Sequence, residues 1–173
     1  MKIGIFGITG NPPHMGHLNA LEMASKQLDL VWVTPVYNHA FGKKFLDYDI
    51  RKEMINAMLA DYPIENVEVK DLDKLYFDTY KETVYSYKLL CFLQDMYPQH
   101  EFKLIVGEDN FKTEVWEKFY KHQQILDDFG VVVIKDMGSH STDIRNMLQN
   151  NEDVVELVSK SVLKIIQNNK LYQ

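Results

Sequence analysis

Read for its apolar positions, the chain alternates between two periods. Five short apolar runs, 3–6, 30–34, 67–69, 102–106 and 131–134, are bounded by Gly, Pro or polar residues and read as buried strands. Between them the apolar spacing is helical. Met15, Leu18, Leu21, Met23 and Leu28 form one stripe, and Ile50, Met54, Ala57 and Met58 mark a helix over 49–59. A long helix is predicted over 79–96, closed by Pro98 and preceded by a charged connector. A further helical segment carries Trp116 and Phe119, and the last third reads as helices at 142–148, 154–158 and 162–166. Short apolar strands alternating with helices predict a parallel sheet covered on both faces. Right-handed crossovers then bring the loops that follow the strands to one edge. Segments 7–17, 35–44, 107–116 and 135–145 are thus expected to converge on one ligand site.

Composition narrows the function without choosing it. With 173 residues, 46% of them hydrophobic and 25% charged, the chain is expected to form a single domain with one sizeable core. A net charge of −6 disfavours non-specific nucleic-acid binding, so an anionic ligand must be held by local positive groups. The single cysteine, Cys91, excludes an internal disulfide and reads as inert packing. A strand begins at Lys2 where a signal peptide would need its charged and apolar regions. No apolar run reaches the roughly 18 residues of a membrane span, and a cytoplasmic protein is expected.

The candidate chemistry lies in two places. After the first strand, Gly7, Gly10, Asn11, Pro12 and Pro13 form a dense turn, followed by His14-Met15-Gly16-His17 at the start of a helix. Histidines three apart share a helix face, and Gly16 between them is expected to let a ligand approach the backbone. A zinc site is one reading, weakened by the lack of Cys or carboxylate at ligand spacing. Phosphate fits better, because imidazole N–H groups and helix N-terminal amides donate to the same anion. About 125 residues later stands Ser139-His140-Ser141-Thr142-Asp143-Ile144-Arg145. Ser141 or Thr142 is placed to cap the next helix, and Arg145 lies one turn in, which makes a second anion cradle. No nucleophile and base stand together to suggest covalent catalysis.

Together these motifs resemble the HxGH nucleotidyltransferase superfamily, and within it the nicotinamide/nicotinate mononucleotide adenylyltransferases. The likeness spans nearly the whole chain. It includes Pro35-Val36 with Lys43 and Arg51, the segment Tyr80-Lys81-Glu82-Thr83-Val84, and Gly107-Glu108-Asp109 followed by Trp116. Two departures stand out. The chain reads Gly7-Ile8-Thr9-Gly10-Asn11-Pro12 where many relatives have Gly-Gly-x-Phe-(Asp/Asn)-Pro, and Ser139-His140 where Ile-Ser is usual. The resemblance implies a Rossmann-like, doubly wound, five-stranded α/β fold. It implies transfer of AMP from ATP to a pyridine mononucleotide in NAD biosynthesis, with Mg2+ entering on the ATP.

Carried over by position, His14, His17 and Arg145 would be catalytic. Gly7, Ile8, Thr9, Gly16, Asp109, Ser141 and Thr142 would hold ATP with them, and Asn11, Lys43, Tyr80, Thr83 and Trp116 would hold the acceptor. Its partners would then be ATP and the mononucleotide, with neither nucleic acid nor membrane, and homo-oligomer formation stays open. Plainer readings stand beside these. Trp116 and the tyrosine-rich segment can be core packing, Lys43 and Lys44 a solvated pair, and Glu108 and Asp109 helix caps. Two functional alternatives also stand. One is an enzyme of the same superfamily acting on phosphopantetheine or a flavin, and the other is a nucleotide-binding module without turnover.

Overall fold

The computed structural model describes residues 1–38, 42, 45–135 and 138–173. Its strands are β1 (Lys2–Ile8), β2 (Leu30–Pro35), β3 (Val67–Val69), β4 (Glu101–Gly107) and β5 (Val131–Ile134). All pair in parallel in the order β3-β2-β1-β4-β5. The sheet is thus the five-stranded, Rossmann-like one expected. The strand order reverses between β1 and β4, so the loops leaving their C-terminal ends flank a crevice.

Around the sheet stand α1 (Met15–Ser25), α2 (Tyr48–Asp61), α3 (Leu72–Tyr80), α4 (Ser86–Met96), the short α5 (Thr113–Trp116) and α6 (His122–Gln124), α7 (Ser141–Gln149) and α8 (Lys160–Asn168). Alternation along the strands supplies two cores. Val31, Val33, Ile105 and Ile134 face α1, α2, α7 and α8, which contribute Leu21, Met54, Ile144 and Val162. Ile3, Ile5, Trp32, Phe102 and Leu104 face α3, α4 and the 113–129 segment.

Two helical expectations need correction. The long helix predicted over 79–96 is two helices. α3 begins inside the supposed connector, and Lys81 ends it in the left-handed conformation (φ 55°). Glu82 stabilises the break, accepting the Tyr76 hydroxyl at 2.6 Å and the Lys88 ammonium at 2.9 Å. Val84, buried in the break, takes a core position that a continuous helix would have given to another residue. Residues 154–158 are turns and not a helix, although Val154 and Val158 are buried. Leu157 instead lends its carbonyl to the Met15 N–H at 2.8 Å, which partners one of the free amides at the start of α1.

Candidate active site

The turn after β1 carries the first half of the site. Gly10 has φ +67°, and a Cβ there would meet the Ile55 side chain at 2.8 Å, so both backbone and space require glycine. Arg51 holds this turn from below. It is 1% exposed, and it donates to the Thr9 carbonyl and the Leu46 carbonyl at 2.7 Å each while lying over the Phe45 ring. This is the work in the structure of the arginine that the sequence grouped with Lys43. Lys43 itself lies outside the described residues, as does Lys44.

The two histidines form the N-terminal cap of α1. His14 is the capping residue, its Nδ1 accepting the Gly16 N–H at 3.1 Å, and the His14 N–H donates to His17 Nδ1 at 3.2 Å. This is a capping box in which imidazoles replace the usual hydroxyl and carboxylate. A ring nitrogen that accepts carries no proton, so in each neutral ring the proton sits on Nε2. The ring centroids are 3.8 Å apart, and burial, followed by the neighbouring His14, holds the His17 pKa well below its ordinary value. His17 therefore offers an anion a neutral N–H donor at the tip of a helix, beside the His14 ring. Gly16 lines the cleft and has a further use. A Cβ there would meet the His14 ring at 2.9 Å, so the glycine makes room for the imidazole to fold over the backbone.

The second half comes from α7. His140 and not Ser141 or Thr142 holds the N-cap position, and no cap hydrogen bond from a described side chain is made there. The Ser141 hydroxyl is used across the site, and that of Thr142 within its own helix. Ser141 Oγ donates to the Pro12 carbonyl at 2.9 Å, and Arg145 donates to the Asn11 carbonyl at 2.8 Å and to Thr142 Oγ1 at 3.2 Å. The motifs thus clasp each other from 129 and 134 positions apart. Between them lies a cleft of about 640 Å³. It is lined by Gly7, Ile8, Thr9, Asn11, His14, Gly16 and His17 on one side, Ser141, Thr142 and Arg145 on the other, and Asp109 at the end of β4. Asp109 sits in the 3-10 turn Glu108–Phe111 and pairs with Lys112 at 2.8 Å.

A second cavity of about 300 Å³ meets the first over the ends of β1 and β4, sharing Phe6, Gly7, Thr9, Gly107 and Asn110. Its wall is aromatic. Tyr85 and Tyr120 stack with centroids 4.9 Å apart, beside Phe119 and Lys118. Three of the residues expected to face an acceptor, Trp116, Tyr80 and Thr83, do not line this cavity. Trp116 is 6% exposed, packed between Phe111 at 5.1 Å and Phe119 at 5.0 Å, and is not among the lining residues. Tyr80 is exposed against Tyr76 and Phe92, and Thr83 lies in the helix break whose next three residues, Val84, Tyr85 and Ser86, line the cavity.

Sequence reasoning passed over Tyr120 and Asp73, and read Tyr85 as part of a tyrosine-rich segment packed in the core. Tyr120 stands four residues beyond Trp116, which was a usable hint; an aspartate within a charged connector gave none. Asp73 lines the second cavity, nearly fully buried. It faces the Thr34 hydroxyl and accepts the Tyr37 N–H. Burial pushes its pKa up from 3.8 to about 7. The native state then holds a proton that the unfolded chain releases at lower pH, so this group costs stability as pH rises through that window. Asp73→Asn is expected to melt a few degrees above the parent at about pH 8, the difference shrinking as pH falls to about 4. Thermal melts across that range check this, and a pH-independent difference would contradict it.

With this geometry in view, the comparisons are direct. The Cytidylyltransferase-like family matches residues 5–166. The probable nicotinate-nucleotide adenylyltransferase of Flavobacterium psychrophilum is 31% identical over 185 residues, covering 100% of this chain and 90% of the relative. The nicotinate-nucleotide adenylyltransferase of Bacillus subtilis is 26% identical, over 99% and 98% of the two chains. Among solved structures, a putative nicotinate-nucleotide adenylyltransferase from Vibrio parahaemolyticus superposes with a TM-score of 0.83 at 33% identity, over 99% of this chain and 94% of that one. The nicotinic acid mononucleotide adenylyltransferase of Plasmodium falciparum, complexed with NaAD, has a TM-score of 0.81 over 99% and 97% of the chains, but at 17% identity it speaks for the fold alone. On the family match, the full-length relatives and the clasped histidine and arginine motifs, the chain belongs to the nicotinate-nucleotide adenylyltransferase family, a group of nucleotidyltransferases.

Proposed function

We propose that the chain transfers AMP from ATP to nicotinate mononucleotide, releasing pyrophosphate and forming the dinucleotide precursor of NAD. A 5′-phosphate oxygen of the acceptor attacks the α-phosphorus of ATP. One P–O bond forms, the α–β bridge breaks, and its electron pair leaves with pyrophosphate. The observation that carries this reading is the meeting of two unlike cavities over the ends of β1 and β4, one lined by His14, His17 and Arg145 and the other walled by tyrosines. Such a transfer needs little covalent help, so positioning and charge stabilisation suffice.

In this reading His14 and His17 donate to the reacting phosphate from Nε2, and Arg145 holds the β- and γ-phosphates with Ser141, Thr142 and the amides of α7. Gly7, Ile8, Thr9, Gly16 and Asp109 border the nucleoside, and Asn11 stands where the two substrates meet. The acceptor ring lies on the Tyr85–Tyr120 wall, with Trp116 packed behind Phe119 and the Thr83 backbone near the ring's substituent. By the family resemblance, Lys43 would meet the acceptor phosphate. Among the described residues no group of three or more His, Cys, Asp or Glu is placed to hold a metal ion. Mg2+ would arrive with ATP and neutralise charge on its phosphates, which calls for few protein ligands. Among those residues no helix is long and apolar enough to cross a membrane, which agrees with a cytoplasmic, single-domain enzyme acting on small substrates.

The test is pyrophosphate release from ATP with nicotinate and nicotinamide mononucleotides in parallel. Faster release with nicotinate mononucleotide is expected. ATP binding without release with either acceptor would favour a module that binds nucleotide and does not turn it over.

A further inference from the structure

Asn11 is held from several directions, and one of its contacts is remote in sequence. Tyr172, 161 positions away, donates its hydroxyl to Asn11 Oδ1 at 2.8 Å. The Leu46 N–H approaches the same oxygen at 3.5 Å, and the Arg145 guanidinium takes the Asn11 main-chain carbonyl at 2.8 Å. A carboxamide has one accepting end and one donating end. With Oδ1 turned to two donors, the Nδ2 hydrogens are what Asn11, only 8% exposed, presents to the cleft it lines. Reversing the carboxamide would aim an oxygen at the place where phosphates gather.

We infer that Tyr172 is a positioning residue of the phosphate cleft, fixing through its hydroxyl which end of the Asn11 carboxamide faces the substrates. The chain makes a specific effort to deliver that hydroxyl. After α8 it turns back, with the Leu171 N–H on the Ile166 carbonyl, and Tyr172 adopts the left-handed conformation (φ 62°) that a ring-bearing residue rarely takes. Burial pushes the phenol pKa above its ordinary value, against the opposing pull of Arg145 and Arg51. The hydroxyl is therefore a proton donor at every working pH. Among the described residues the other donor to Oδ1 is the longer Leu46 contact.

This inference rests on the proposed adenylyl transfer, and its test separates the two. Tyr172→Phe keeps the ring and removes only the hydroxyl. It is expected to lower kcat about tenfold, the size of one lost hydrogen bond, with the KM for ATP and the melting temperature little changed. In an Asn11→Ala background the same substitution should cost nothing further, because the residue it acts through is gone. A second readout needs no turnover. In 15N-resolved NMR spectra the Asn11 side-chain amide resonances should shift or double in Tyr172→Phe. Parental kcat in the single variant, an equal loss in both backgrounds, or unmoved Asn11 resonances would each overturn the assignment. If the parent releases no pyrophosphate, the enzymatic reading fails, and the NMR readout alone decides whether Tyr172 orients Asn11.

Discussion

Replacing His17 by alanine is expected to lower kcat by about 10²- to 10³-fold, the usual cost of removing one donor aimed at charge that grows in the transition state. The geometry gives the imidazole two uses, and the variants separate them. Its Nδ1 accepts the His14 N–H and so helps to cap α1, which is worth about 1 kcal/mol of stability. In the proposed reaction its Nε2 hydrogen is the donor offered to the phosphate. His17→Asn can restore the cap through its side-chain oxygen but is too short to reach the substrate. It should recover the melting temperature and leave kcat low. Burial holds the free imidazole well below its ordinary pKa of 6.5, so it stays neutral through the physiological range. The kcat/KM profile of the parent should therefore show no inflection from this group near neutrality. The same shift has a stability consequence. A histidine whose folded pKa is lowered contributes stability that is full above the unfolded value and is lost as pH falls below it. Steady-state rates and melts of the parent and both variants check each point, and near-parental turnover in His17→Ala would reject the donor role.

Arg145→Ala is expected to reduce kcat/KM for ATP by a similar factor, about 10²-fold or more, by removing a guanidinium from the triphosphate. Here too a structural part must be set aside, because Arg145 fastens the Asn11 carbonyl and so the turn after β1. Binding of AMP and of ATP to the same variant separates the two. If Arg145 meets the β- and γ-phosphates, affinity for ATP falls while affinity for AMP is kept. Equal losses for both nucleotides would reduce Arg145 to a clasp between the motifs. Arg145→Lys should not restore the parent. An ammonium cannot bridge the Asn11 carbonyl and Thr142 Oγ1 and also present a planar face to phosphate.

The way the two halves of the site come together explains why its outline could be read in advance. A parallel sheet sends every strand-end loop to one edge, and strand positions follow from short apolar runs. The turn at Gly7 to Pro13 and the segment from Ser139 to Arg145 both follow strands, so they share a cleft whatever the packing details. The break between α3 and α4 was not legible, because it contains neither glycine nor proline. It is held by a left-handed lysine and by Glu82, whose partners come from the helices on either side. Trp116 illustrates a different limit. Its position suggested a ring platform, yet an indole fits a core as well as a pocket, and only its neighbours Phe111 and Phe119 decide between the two.

Periodicity and turn chemistry by themselves determined the five strands, their parallel pairing and the edge at which the histidine and arginine motifs meet. These are local properties of the chain, repeated often enough to fix a topology. Only the tertiary structure decided which side chains line the aromatic cavity, that Ser141 reaches across to Pro12 when it was expected to cap its own helix, and that Tyr172 orients Asn11. Each of those depends on a contact between segments far apart in the chain. A hydrogen bond has no periodicity along the sequence, and its partner exists only once the two segments have packed.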